Sequence, residues 1–263
     1  MRKLGVREAF SRAAPYYDTY ADVQRQAGLI LADYLPEIAP CSILELGCAT
    51  GSYTLSLLEA FPAAEILALD FSAALLAIAE KKLSGFPHIR FLCTEGDEFL
   101  RTSPRTFDLI TANATLQWFA NLPITIAHMA KRTAAGGVML ASLFGPRTFY
   151  ELGAALAAVY GDHPPLPAAL FPGKEALLAM LTPCYTGVEL DERTVQRTYS
   201  STLELLRHIR RTGTTGGRRQ GQVFTPTRLH MLDDWFQHEY GGCTVTYQIF
   251  FIRARKRNLS DGQ

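Results

Sequence analysis

The run Ile43-Leu44-Glu45-Leu46-Gly47-Cys48-Ala49-Thr50-Gly51 constrains this chain more than any other stretch. A short apolar segment breaks into a glycine turn, and a helix-compatible segment, Tyr53–Phe61, follows at once. That is the pattern of a buried strand whose carboxyl end opens onto a ligand, with a helix leading away. Gly47 and Gly51 let the backbone turn tightly and let a ligand approach where a side chain would collide. Further on, Glu65–Asp70 reads as a second buried strand ending in a carboxylate. An acid roughly 20 positions beyond such a turn is placed to hold the paired hydroxyls of a ribose.

The turn departs from the dinucleotide-binding pattern. Ala49 stands where the middle glycine would be, and Glu45 precedes the turn. A carboxylate there repels a pyrophosphate but attracts a cationic sulfonium carrying an amino-acid tail. The residues therefore favour S-adenosylmethionine over a nicotinamide dinucleotide. No Tyr-x-x-x-Lys supports hydride chemistry.

Strand-like and helix-like segments alternate from residue 41 to about residue 145. Cys41–Leu46, Glu65–Asp70, Ile89–Cys93, Phe107–Thr111 and Val138–Phe144 are short apolar runs of the buried-strand type. Tyr53–Phe61, Ala73–Leu83 and Leu122–Thr133 are the helices between them, the last expected to stop at Gly136-Gly137. Beyond residue 145 the spacing predicts helices at Tyr150–Tyr160, Lys174–Leu181, Ser201–Arg211 and Thr227–Tyr240. It predicts strands at Val188–Tyr199 and Thr244–Arg253, a proline-rich loop at Asp162–Pro172 and a glycine-, threonine- and arginine-rich loop at Thr212–Gly221. Arg257–Gln263 reads as a frayed end. The fold expected is α/β: a doubly wound, mostly parallel seven-stranded sheet with helices on both faces and a helical cap.

Composition narrows the function class. The chain has 263 residues and a formal net charge of +1, so no electrostatic argument points to nucleic acid or an anionic membrane. No apolar run approaches the ~20 residues that cross a bilayer, and the first residues lack a secretion signal. Five cysteines (Cys41, Cys48, Cys93, Cys184 and Cys243) are widely spaced with no Cys-x-x-Cys pair. Neither disulfides nor a metal cluster is expected, and the chain reads as cytoplasmic. Cys48 in the turn is read as a small apolar filler.

The third strand leads into Thr94-Glu95-Gly96-Asp97, where Asp97 is expected to accept a hydrogen bond from an adenine amino group, completing a cradle with Glu45 and Asp70. The fourth strand runs into Asn113, expected to face the reactive methyl group, and then Gln117-Trp118, expected to wall a substrate pocket.

With those residues in view, the first hundred and forty positions resemble a class I S-adenosylmethionine-dependent methyltransferase, a Rossmann-like fold. Phe10-Ser11-Arg12-Ala13-Ala14-Pro15-Tyr16-Tyr17 with Ala21-Asp22-Val23-Gln24 is similar to the malonyl-[acyl-carrier protein] O-methyltransferases of biotin synthesis. So are Gln117-Trp118, Thr148–Leu152, the Arg210–Thr214 loop and the closing strand Val245–Phe250. Within this resemblance Ala49 replaces a frequent glycine, Arg210 a frequent lysine, and Thr214-Thr215 a usual alanine with asparagine or threonine.

The resemblance implies a single methyltransferase domain over residues 1–263, with an N-terminal lid at 1–35 and a helical cap at 200–241 over the strand ends. It implies cofactor contacts from Tyr16, Glu45, Gly47, Gly51, Asp70, Phe71, Asp97, Glu98 and Asn113. Tyr17, Arg210 and Gln117 are the implied catalytic residues, and Tyr17, Trp118, Arg147, Thr148, Arg210 and Arg211 the substrate contacts. The implied partner is malonyl-acyl-carrier protein or malonyl-coenzyme A, met by a monomer. Arg207, Arg210, Arg211, Arg218 and Arg219 would offer an acidic carrier protein a basic face. Two other readings stay open: methylation of another small carboxylic acid such as trans-aconitate, or a non-catalytic methyltransferase-like binding subunit.

Overall fold

The structure, a computed structural model, describes residues 3–37, 39–161, 165–214 and 224–256. The N-terminal segment forms α1 (Lys3–Ala13), α2 (Tyr17–Tyr20) and α3 (Asp22–Ala32). Strands and helices then alternate: β1 (Ser42–Leu46), α4 (Ser52–Ala60), β2 (Glu65–Asp70), α5 (Ala73–Lys82), β3 (Ile89–Cys93), α6 (Gly96–Thr102) and β4 (Phe107–Ala112). Next come α7 (Leu122–Arg132), β5 (Thr133–Phe144), α8 (Tyr150–Tyr160) and α9 (Lys174–Leu181). The chain closes with β6 (Tyr185–Tyr199), α10 (Thr202–Arg211), α11 (Pro226–Tyr240) and β7 (Cys243–Lys256).

The strands form one seven-stranded sheet in the order β3-β2-β1-β4-β5-β7-β6. β1 pairs in parallel with β2 and with β4, β2 with β3, and β4 with β5. From β1 the order runs outward in both directions, so the strand order reverses between β1 and β4. At such a reversal the loops after adjacent strands diverge and leave a crevice at their carboxyl ends. The glycine turn follows β1 and the Asn113 loop follows β4, so the fold places both at that crevice.

The chain divides into two compact units. One comprises Ala21–Leu143, Lys174–Asp191 and Phe250–Gln263. Its strands are apolar on both sides, as a covered parallel sheet requires, and Leu44, Leu46, Ile110, Met139, Ala141 and Ile252 are among the residues of its core. The other comprises Met1–Tyr20, Phe144–Gly173 and Glu192–Ile249. It holds α1, α2, α8, α10 and α11.

Side-chain caps fix the start of several helices. Asn121 caps α7, its Oδ1 accepting from the Ile124 amide at 3.3 Å, and Ser201 caps α10 through the Glu204 amide at 3.3 Å. The glycine pair after α7 plays a different part from the helix stop expected of it. α7 ends at Arg132, and Thr133 turns straight into β5 with its Oγ1 donating to the Met129 carbonyl at 2.8 Å. Gly136 and Gly137 lie inside β5, where Phe107↔Thr133 is followed by Leu109↔Val138. Two steps along β4 thus face five along β5, and the excess forms a bulge. A Cβ at Gly137 would come within 2.9 Å of the Asp108 carbonyl, so the bulge excludes larger residues. The second revision is α6: the acidic stretch read as a strand tip winds into a helix from Gly96.

Candidate active site

The glycine turn is fixed from beneath by β2. The amides of Gly47 and Cys48 both donate to the Leu69 carbonyl, at 2.7 and 2.9 Å. Gly47 has φ +72, and a Cβ there would fall 2.4 Å from Thr115 Oγ1. The turn and the β4 loop therefore pack backbone to side chain, with no room for any other residue type. Ala49 takes the left-handed conformation at φ +49 without the freedom of glycine. Its amide donates to Asp70 Oδ2 at 3.0 Å, which holds it there.

Two acids meet at this point. Asp70 is buried, its Oδ1 accepting from the Ser72 amide at 2.8 Å. Burial pushes its carboxyl up to about 6, and the charge of Glu95 adds to the rise against the hydrogen bonds from Ser72 and Ala49. Glu45 is only 1% exposed, and its Oε2 has no hydrogen-bond partner. Burial pushes its carboxyl up to about 8 against the lowering effect of Thr54, and the negative charge of Asp70 adds to the rise. Cys48 is buried with its thiol pushed well up by that burial, which suits an apolar filler and not a nucleophile.

At the end of β3 the acid whose charge reaches Asp70 is Glu95. Asp97 is the second residue of α6, and its Oδ1 accepts from Thr125 Oγ1 of α7 at 2.5 Å. Glu98 is exposed on the same helix, its carbonyl accepting from Thr102 Oγ1. Glu95, whose charge acts on Asp70, was not among the expected contacts. Its signal was adjacency: it stands two positions past Cys93, ahead of the glycine that starts α6. Phe71 follows Asp70, and its carbonyl accepts from Cys93 Sγ at 3.8 Å.

The β4 loop is closely tied. Asn113 Nδ2 donates to the Gln24 carbonyl of α3 at 2.9 Å, and its Oδ1 accepts from Ser142 Oγ at 2.6 Å. With both ends of its carboxamide engaged, Asn113 joins α3, β4 and β5. Ala114 is left-handed at φ +49, and Leu116–Trp118 form a single 3-10 turn. Gln117 Nε2 donates to the Ala114 carbonyl at 2.7 Å, while its Oε1 is buried without a partner. The Oε1 of Gln24 is orphaned in the same way. Gln24 appeared in the N-terminal motif but not among the expected contacts, because nothing in the sequence ties α3 to the β4 loop.

The other unit holds the expected substrate residues apart from Trp118. Arg211 lies flat over the Tyr16 ring, its guanidinium carbon 3.5 Å from the ring centroid, with Tyr20 at 5.8 Å. Arg210 is exposed on α10. Tyr17 is half-buried, 6.3 Å from Phe10 between ring centroids. Arg147 is exposed over Tyr150 at 5.6 Å, and its amide donates to Gln248 Oε1. Thr148 is buried, and its hydroxyl both donates to the Gln248 carbonyl and accepts from the Gln248 amide, each at 3.2 Å. That hydroxyl serves β7. The turn after α10 places Gly213 at φ +74 against Phe10 of α1, where a Cβ would come within 2.9 Å of the ring. Arg207 is exposed on α10, and Arg218 and Arg219 lie outside the described residues.

Buried oxygens without hydrogen-bond partners (Glu45 Oε2, Gln24 Oε1 and Gln117 Oε1) and the buried acids Glu45 and Asp70 offer acceptors that suit a donor-rich, cationic ligand. The sheet order and the acid-then-glycine turn are those of the class I methyltransferases. A family model described as a methyltransferase domain matches residues 44–139. A malonyl-[acyl-carrier protein] O-methyltransferase of Anoxybacillus flavithermus is 34% identical over 253 residues, 94% of this chain and 95% of that protein. The protein of the same name from Halalkalibacterium halodurans is 37% identical over 158 residues, 57% of this chain and 58% of that one. Among solved structures, the N-methyltransferase NodS from Bradyrhizobium japonicum, in complex with S-adenosyl-L-homocysteine, superposes with a TM-score of 0.55 at 16% identity, covering 97% of this chain and 100% of that one. The chain belongs to the malonyl-[acyl-carrier protein] O-methyltransferase family.

Proposed function

We propose that this protein transfers a methyl group from S-adenosylmethionine to the free carboxylate of a malonyl thioester carried on acyl-carrier protein, an early step of biotin synthesis. The observation that carries the reading is the 34% identity to a relative of that name along nearly the full length of both chains.

The residues of the crevice fit the cofactor. Glu45 Oε2, Gln24 Oε1 and Gln117 Oε1 are buried acceptors that a ligand with an ammonium group and hydroxyls would satisfy. Glu45, Gly47, Gly51, Asp70, Phe71 and Asn113 would hold it. Glu95 joins them on the adenine side with Asp97 and Glu98. The bound cofactor supplies an electrophilic methyl group on a sulfonium. A malonyl carboxylate is already ionised and nucleophilic at neutral pH, so an in-line displacement needs no general base. The protein contributes alignment and the exclusion of water. Arginine grips a carboxylate through a planar fork, and Arg211, held flat by Tyr16, is the arginine of this pair that is fixed by a neighbour. Tyr17 and Trp118 are each proposed acyl-group contacts on the strength of the family resemblance, and the basic side chains of α10 the proposed contacts of the carrier protein.

The test is S-adenosylhomocysteine release with malonyl-carrier protein, malonyl-coenzyme A and free acids including trans-aconitate as acceptors. Turnover should be fastest with a malonyl thioester. Equal or faster turnover of the free acids would assign the protein to a different carboxylate, and failure to bind S-adenosylmethionine would leave a non-catalytic binding subunit.

A further inference from the structure

Glu45 is a carboxyl group closed off from water at the end of β1. The titratable groups that act on it or feel its charge are Asp70 from β2, Tyr53 from α4 and Cys48 from the turn, none of them a cation. Across the sheet its register partners are Ala68 and Thr111, which carry no charge. Oε2 has no hydrogen-bond partner. Asp70 differs, with two backbone amides to stabilise its ionised form. Two buried negative charges side by side without a counter-ion are strongly unfavourable, and the group lacking amide donors is the one that takes a proton.

We propose that Glu45 carries a proton when the cofactor is absent and releases it to solvent when the cationic methyl donor binds, so that loading the site is coupled to proton release. The inference rests on the S-adenosylmethionine reading above. The balance is simple: the O–H bond of the Glu45 carboxyl breaks, the proton passes to buffer, and the ligand's positive charge takes its place beside the carboxylate. The raised position of Glu45, about 8, agrees with this and places the effect within the working range of the protein. Affinity for the donor then rises with pH by up to roughly tenfold per unit below that point, because one proton is lost on binding.

Titration calorimetry of the full-length protein with S-adenosylmethionine, at pH 7 in buffers of low and high ionisation enthalpy, reads the number of protons released. The result expected is a buffer-dependent heat corresponding to nearly one proton per ligand, declining as the pH approaches 9. Glu45→Gln should release nearly one proton per ligand fewer than the wild type at pH 7, a difference that cancels the contribution of the ligand's own amino group, which titrates at about 7.7–8.0. Should that variant fail to fold, the wild-type series decides alone: release that stays constant between pH 7 and 9 overturns the proposal. Wild-type binding with equal heats in both buffers at pH 7 overturns it too, while leaving the cofactor assignment intact. An absence of binding in every buffer removes the cofactor assignment itself and the proposal with it.

Discussion

Asp70 and Ala49 are joined across the nucleotide turn: the Asp70 carboxylate accepts the Ala49 amide at 3.0 Å while Ala49 is held at φ +49. The acid thus shapes the turn, and on the proposed function it also holds the ligand. Asp70→Ala should weaken S-adenosylmethionine binding by roughly 1.5–3 kcal/mol, the loss expected for charge-assisted hydrogen bonds, with calorimetry as the measurement. Ala49→Gly should leave the turn in place and change stability by under about 1 kcal/mol, since the relief of left-handed strain and the added chain entropy oppose each other. Unchanged affinity in Asp70→Ala would take Asp70 out of the ribose site.

The two buried acids also set a pH dependence of stability. Both have folded-state values raised above the ordinary carboxylate range, Glu45 to about 8 and Asp70 to about 6. The folded protein therefore holds protons that the unfolded chain has lost, and stability falls as pH rises from about 4.5 toward 8. The slope from one such group is at most about 1.4 kcal/mol per pH unit. Urea unfolding of the cofactor-free protein at pH 6 and pH 8 should show this loss, and Glu45→Gln should shrink it. A wild-type protein more stable at pH 8 than the variant, relative to pH 6, would contradict the assignment.

The strands and most helices were legible because their signals are local. A buried parallel strand is a short apolar run, and β2 and β3 begin and end where the sequence placed them. Gly136 and Gly137 misled because a glycine pair after a basic helix end serves a cap or a bulge equally well. The choice was made by the close approach of Gly137 to the Asp108 carbonyl of the neighbouring strand. Glu95 was harder to read because three acids lie within five residues after β3, and which of them acts on Asp70 depends on where α6 starts. The unpartnered Oε1 of Gln24 was invisible for a related reason. Its place at the β4 loop comes from a contact between segments far apart in the chain, the Asn113–Gln24 bond across 89 positions.

Gly213→Ala should disturb the seat of α1. The position combines φ +74 with a Cβ contact of 2.9 Å to Phe10, so the substitution is strained and obstructed together. A loss of about 1–3 kcal/mol in thermal or urea unfolding is expected. Phe10→Ala combined with Gly213→Ala should recover the steric part, giving a double-mutant cost smaller than the sum. Strict additivity would show that the two residues do not meet.

Arg211 and Arg210 should part company in kinetics. Arg211→Lys removes a planar group stacked 3.5 Å over Tyr16, and the ammonium that replaces it cannot form a carboxylate fork. A rise in KM for the malonyl thioester of at least tenfold is expected, with cofactor affinity unchanged. Arg210→Ala, at an exposed position, should raise KM less, and its effect should fade in high salt. Tyr17→Phe should lower kcat while cofactor binding persists. If Arg210→Ala proves the more damaging of the two arginine changes, the carboxylate grip belongs to the exposed side chain.

Mass spectrometry of malonyl-acyl-carrier protein after incubation with this protein and S-adenosylmethionine tests the reading at its core. A gain of one methyl ester on the malonyl group, absent when the donor is omitted and suppressed in Asp70→Ala, is the outcome that the acid-lined crevice and the family membership predict. A carrier thioester that stays unmodified while a free carboxylic acid is methylated under the same conditions would contradict it.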